Sequence, residues 1–197
     1  MTADELAARL REGAVTLAFD TNAVYRDRRL NALCDRIAWH NLRLAAEGRA
    51  PVRLVISAVA YTEKLFDLKQ RWRATFNLDV ILDGLRSKGI EVQPFDARHA
   101  LETAARLGER YPSDAAWQRA KRDRCLQCLG LPPSAVQAPG TGRTCGATVD
   151  WHIGGHARAE GCMLVTDDTD PELGGLLDRV GLDTLDAALC RLSDEPA

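Results

Sequence analysis

The sequence predicts an α/β fold in which a parallel sheet is covered by helices on both faces. Short apolar runs recur along its 197 residues, and between them lie longer stretches with apolar residues three and four apart. Strands that alternate with helices in this way are joined by crossovers, which make the strands parallel. The composition agrees, since 46% hydrophobic and 27% charged residues suit a globular chain with a buried core. The length suits one domain, or one domain with an insertion.

Residues 3–12 carry Leu6 and Leu10 four apart and read as a short amphipathic helix. Residues 14–19 are an apolar run that reads as the first strand. It stops at Asp20, Thr21 and Asn22, residue types that favour turns and helix caps. Residues 24–47 read as a long helix ended by Gly48, and 52–56 as the second strand. Ser57 then caps a helix through about Lys69. A helix over 77–88, stopped by Gly89, leads to a third strand at 90–93, and 97–110 is a further helix. Ser113 caps a helix over 113–129 that carries Arg119, Lys121, Arg122 and Arg124. Residues 130–146 are rich in Pro and Gly and read as a loop. A helix from Thr148 to about Glu160 precedes a fourth strand at 162–166. A last short strand near 180–182 precedes the final helix.

The net charge of −2 does not point to nucleic acid, so any such partner needs a local basic patch. No run of about 18 apolar residues is present, so no membrane-spanning helix is expected. The first residues are acidic and helix-like, without the basic-then-apolar order of a signal peptide. The expected location is the cytoplasm. There the six cysteines are expected as reduced thiols or metal ligands before disulfides.

In a parallel sheet the functional site lies outside the carboxyl ends of the strands. That rule selects Asp20, directly after the first strand, and Asp168, two residues beyond the fourth. Glu63 lies two turns into the helix after the second strand, and Asp150 near the start of the helix before the fourth. Four carboxylates that converge repel one another unless a cation sits between them. An all-oxygen set favours Mg²⁺ or Mn²⁺, which can activate water and stabilise charge on a phosphodiester. Each acid alone has a plainer reading. Asp20 would be a turn cap, Asp150 a helix-start acid and Glu63 a solvated helix residue.

The segments LAFDTNAVY at 17–25, SAVAYTEKL at 57–65 and TVDWHIGGHARAEGCMLVTDD at 148–168 resemble the three signature segments of the PIN domain family, which includes the VapC-like toxin ribonucleases. The resemblance implies a three-layer α/β/α fold with a central parallel sheet of about five strands. It implies a Mg²⁺- or Mn²⁺-dependent endoribonuclease that hydrolyses RNA phosphodiester bonds, the toxin of a type II toxin–antitoxin pair. Asp20, Glu63, Asp150 and Asp168 would be its catalytic, metal-binding acids. Asn22 would orient Asp20, Thr166 would hydrogen-bond a carboxylate or water, Asp170 would be an extra acid and Asp167 would point away. The partners implied are an RNA substrate, a small antitoxin protein and a second copy of the chain. Compact members are shorter. The excess here falls in the helix 24–47 and in a helical and loop insertion at about 112–146, within a single domain spanning 1–197. Gly154 and Gly155 stand where the family usually has small helix formers. They imply a close approach of a neighbouring helix or of substrate backbone.

Other constellations have rival readings. His152 and His156 share a zinc-site spacing but lack the intervening glutamate, so packing or a place at the rim is the expectation, with His156 as a candidate substrate contact. Cys125, Cys128 and Cys145 would hold zinc, form a disulfide or remain free. Arg26, Arg28 and Arg29 follow Asp20 closely and would clamp RNA phosphates, or form a solvated helix face. Two alternatives to the nuclease stand beside it. One is a non-catalytic PIN-like module that binds RNA or protein. The other is a phosphatase with Asp20 as nucleophile, which would want an acid where Asn22 stands.

Overall fold

The computed structural model describes residues 1–25, 27–128, 130–132, 147–169, 173, 175 and 178–194. Its elements are α1 (Ala3–Glu12), β1 (Thr16–Phe19), α2 (Thr21–Tyr25), α3 (Asp27–Ala46), β2 (Arg53–Ser57), α4 (Ala58–Trp72), a 3₁₀ turn (Arg73–Thr75), α5 (Leu78–Ser87), β3 (Ile90–Gln93), α6 (Ala97–Arg110), α7 (Asp114–Cys128), α8 (Ala147–Ala159), β4 (Met163–Val165), β5 (Arg179–Val180) and α9 (Leu182–Asp194).

The five strands form one parallel sheet in the order β3-β2-β1-β4-β5, with β1 at its centre. Phe19 of β1 pairs with Ile56 on one side and Val165 on the other, so Asp20 emerges at the carboxyl edge. Leu17, Phe19, Val55, Ile56, Leu164 and Val165 are buried, as strands covered on both faces must be. Helices α1, α3 and α9 pack together in one layer, and α4, α6 and α8 in another. The fold is therefore the predicted α/β type with five parallel strands.

Side-chain caps fix most helix starts. The Ser57 hydroxyl accepts from the Ala60 amide at 3.1 Å, Asn77 caps α5, Asp96 caps α6, and Ser113 accepts from Ala116 at 3.2 Å. Among the boundaries that differ from the sequence reading, three have a visible cause. The first strand begins at Thr16 rather than residue 14, because Gly13 and Ala14 turn with φ of +75° and +58°. A Cβ at Gly13 would lie 2.2 Å from the Ala50 carbonyl oxygen, so only glycine fits that turn. A helix starts at Thr21, directly after Asp20, whose carbonyl accepts from Ala23 at 3.1 Å and Val24 at 3.3 Å. The fourth strand begins at Met163, because the Cys162 amide closes the end of α8 on the Ala157 carbonyl at 2.8 Å. No helix among the described residues is long and apolar enough to cross a membrane.

Candidate active site

Asp20 continues the strand ladder by one step, with its amide donating to the Val165 carbonyl at 3.1 Å. Its side chain is only 2% exposed. One carboxylate oxygen accepts from the Thr21 amide at 2.6 Å, the other from the Thr166 hydroxyl at 2.7 Å. Burial pushes the Asp20 carboxyl above its ordinary range, and the charges of Asp168 and Glu63 push the same way. The Thr166 and Thr21 hydrogen bonds oppose the shift without cancelling it.

Two more acids are tied into this arrangement. The Thr21 hydroxyl donates to Glu63 Oε2 at 2.5 Å, joining the first turn of α2 to α4. Asn22 donates from Nδ2 to Asp168 Oδ2 at 3.0 Å, and the Asp168 amide donates to the Thr166 hydroxyl oxygen at 3.0 Å. Thr166 thus links the Asp20 carboxylate to the Asp168 backbone. It takes a proton contact from the Asp168 backbone and gives its own to Asp20. Arg179 Nη1 donates to the Asp168 carbonyl at 3.3 Å, which pins the turn after β4 from the β5 side.

The structure thus draws Asp20, Glu63 and Asp168 together with Thr166 and Asn22. The expected partner of Asn22 is corrected. Asn22 is exposed at the rim and reaches Asp168, whereas Asp20 is held from within by a backbone amide and Thr166. Asp167 turns away and caps α9, accepting from the Leu182 amide at 2.8 Å. Asp150 is half-buried in the first turn of α8, a helix that packs on the Glu63-bearing α4. The sequence reading missed Thr21. The only signal was a hydroxyl beside Asp20, which reads equally as a turn residue.

Other expectations fall elsewhere. Arg29 is paired with Asp183 of α9, so it ties two helices together. Arg26, Asp170 and Cys145 lie outside the described residues, as do the side chains of Arg28, Cys125 and Cys128, although Cys125 and Cys128 have helical backbone in α7. Cys34 and Cys162 are buried free thiols, and burial raises both to about 11. The His156 substrate contact is corrected. His156 is 1% exposed and stacks on His99 with centroids 4.5 Å apart. Burial, with the neighbouring His99, lowers it to about 4. His152 packs edge-on against Phe95 at 5.2 Å. The glycine pair meets a helix. A Cβ would lie 2.0 Å from Arg106 Nη1 at Gly154, and 2.1 Å from Thr103 Oγ1 at Gly155, both partners on α6.

The donor chemistry suits a hard divalent cation, because every group is an oxygen and buried Asp20 is short of positive charge. In the arrangement described, each of the three carboxylates accepts from a neutral donor instead. No three His, Cys, Asp or Glu side chains among the described residues are grouped so as to hold one ion.

No family model matches the chain, and no curated protein does. A solved structure described as VapBC2 from Rickettsia felis bound to a DNA fragment from their promoter aligns with 85% of this chain and 98% of that chain. The identity is 20% and the TM-score 0.41.

Proposed function

We propose that the chain is a metal-dependent endoribonuclease of the PIN type, using Mg²⁺ or Mn²⁺ and acting as the toxin of a toxin–antitoxin pair. One observation carries the chemistry. Asp20 is buried, and burial above all, with the charges of Asp168 and Glu63 added, holds its carboxyl above its ordinary range. Such a site costs stability unless a proton or a cation relieves it. The three sequence segments that resemble the PIN signatures supply the reaction class.

Asp20, Glu63, Asp150 and Asp168 would hold the ion. When bound, it would lower the pKa of a water and neutralise charge on the phosphodiester. Thr166 and the Thr21 amide keep both Asp20 oxygens in a fixed direction, and Thr21 and Asn22 do the same for one oxygen each of Glu63 and Asp168. The Asp20→Asn protein is expected to keep its far-ultraviolet circular dichroism and lose magnesium- or manganese-dependent cleavage of an RNA pool. Undiminished cleavage by that variant refutes the assignment.

A non-catalytic binding module is the second reading. It is favoured by the absence, among the described residues, of three acids grouped to hold one ion. RNA binding that ignores chelator, with no cleavage of any RNA by the wild type, would select it.

A further inference from the structure

Helix α7 lies in the segment that compact PIN-like chains would not need, and the carboxylate site makes no use of it. Its sequence places Trp117, Lys121 and Arg124 at i, i+4 and i+7, on one face. The Lys121 ammonium sits 5.1 Å from the centre of the Trp117 ring. Trp117 in turn meets Tyr111 at 5.2 Å, and Tyr111 meets Trp151 edge-on at 5.9 Å. Trp151 directly follows Asp150. A continuous row of rings therefore runs from α7 to the first turn of α8. Trp117, Tyr111 and Lys121 are half-buried, whereas Trp151 is 4% exposed and ends the row inside the protein.

We propose that the partly exposed end of this row, Trp117, Tyr111 and Lys121, is a docking surface for single-stranded RNA beside the helix that carries Asp150. The inference rests on the nuclease reading and names the form of its substrate. Two features select the occupant. Partly exposed rings such as Trp117 and Tyr111 can stack on unpaired bases, which a duplex keeps inside its own stack. The Lys121 ammonium beside Trp117 complements phosphate, and with an overall charge of −2 such a local cation matters. Lys121 has no ion-pair partner among the described residues, which leaves its charge for a ligand. Arg119 is a built-in control. It is two residues from Trp117, about 200° around the helix, and so faces the other way.

The test measures fluorescence anisotropy of a labelled, non-self-complementary single-stranded RNA of about 12 nucleotides, a length that spans one site of this class. The full-length Asp20→Asn protein in chelator serves as host, so nothing is cut. Adding Trp117→Ala is expected to weaken binding about five- to one-hundredfold. Trp117→Phe retains most of the affinity, which separates stacking from misfolding. Lys121→Gln reduces the slope of log affinity against log salt by about 0.7. Arg119→Gln leaves binding and slope unchanged. The proposal is overturned if Trp117→Ala binds normally, if Arg119→Gln behaves like Lys121→Gln, if the matching duplex binds as well, or if no RNA binds. Magnesium-dependent cleavage by the chain with Asp20 intact is scored separately. Face-dependent binding without cleavage sinks the nuclease reading and keeps the surface, whereas cleavage with indifference to Trp117 does the reverse.

Discussion

Asp20 is gripped by two neutral donors while two acids act on it from nearby, and Thr21 and Thr166 carry most of that arrangement. Thr166 is legible only through the resemblance, and the pairing of β4 with β1 then places its hydroxyl at the Asp20 edge. Thr21 is not, because its partner Glu63 lies 42 residues away and nothing local reveals the contact. Asn22 was recognisable as a supporting group, but spacing along a chain does not say which carboxylate an amide will choose. The Thr21 contact makes a prediction. Thr21→Val keeps the shape and removes the hydroxyl, so Glu63 loses its orientation. Cleavage is expected to need more manganese and to fall roughly 10- to 100-fold, the usual effect of losing a group that orients a ligand. Thr21→Ser should restore it. A manganese titration of the cleavage rate checks this, and a Thr21→Val protein with wild-type dependence shows that the hydroxyl does not serve Glu63.

At the scale of elements, α6 and α8 decide how the layer over the sheet closes. The glycine pair looks costly in a helix, at roughly 1 kcal/mol each relative to alanine. The packing explains the choice. A Cβ at Gly155 would meet Thr103 Oγ1 at 2.1 Å and its Cα at 3.0 Å, on a helix packed closely along α8. At Gly154 the obstacle is the end of the Arg106 side chain, which lies over the Trp151 ring at 5.1 Å. Overpacking of a core costs about 1–3 kcal/mol, more than the propensity gain. Gly155→Ala is therefore expected to lower stability by about 1–2 kcal/mol net, and Gly154→Ala by less. Gly108→Ala in α6, where nothing lies within 4 Å, should raise stability by up to about 1 kcal/mol. Urea unfolding of the three variants reads the order directly. The starts of α4 and α7 were legible because Ser57 and Ser113 are local caps, while the Asn77 and Asp96 caps of α5 and α6 emerge only in the structure. The ends of β1 and β4 were not legible, since they depend on Ala50 and on Ala157, which are distant contacts or claims of another helix. The Gly154–Gly155 pair was visible as an anomaly, but its partner helix could not be read from one dimension.

Over the whole molecule, the ion pairs that join the terminal helices to the rest are exposed, among them Arg9 with Asp178 at 2.8 Å and Arg191 with Asp4. Such pairs contribute little, so pH dependence rests on the buried groups. Two of these oppose each other. Asp20 is raised in the fold, so its contribution is favourable at low pH and is lost as pH rises through its folded value. His156 is lowered to about 4, so its contribution is present above its ordinary value of 6.5 and is lost as pH falls toward about 4. By linkage the histidine contribution is on the order of 3 kcal/mol. His156 Nε2 has no hydrogen-bond partner among the described residues, so a phenyl ring can replace it against His99 without losing a bond there. In chelator, wild-type protein is expected to lose stability between about pH 6.5 and about pH 4, and His156→Phe to lose distinctly less. Asp20→Asn should act in the reverse sense, more stable than wild type near neutral pH and equal to it once Asp20 is protonated. On the proposed metal-dependent reading, excess manganese at neutral pH should erase that advantage, because the cation would stabilise the folded wild type more than the variant. Calorimetric melting of the three proteins across this range, with and without manganese, checks both signs at once. If His156→Phe melts in parallel with wild type, the stacked histidines do not set the acid limit of the fold.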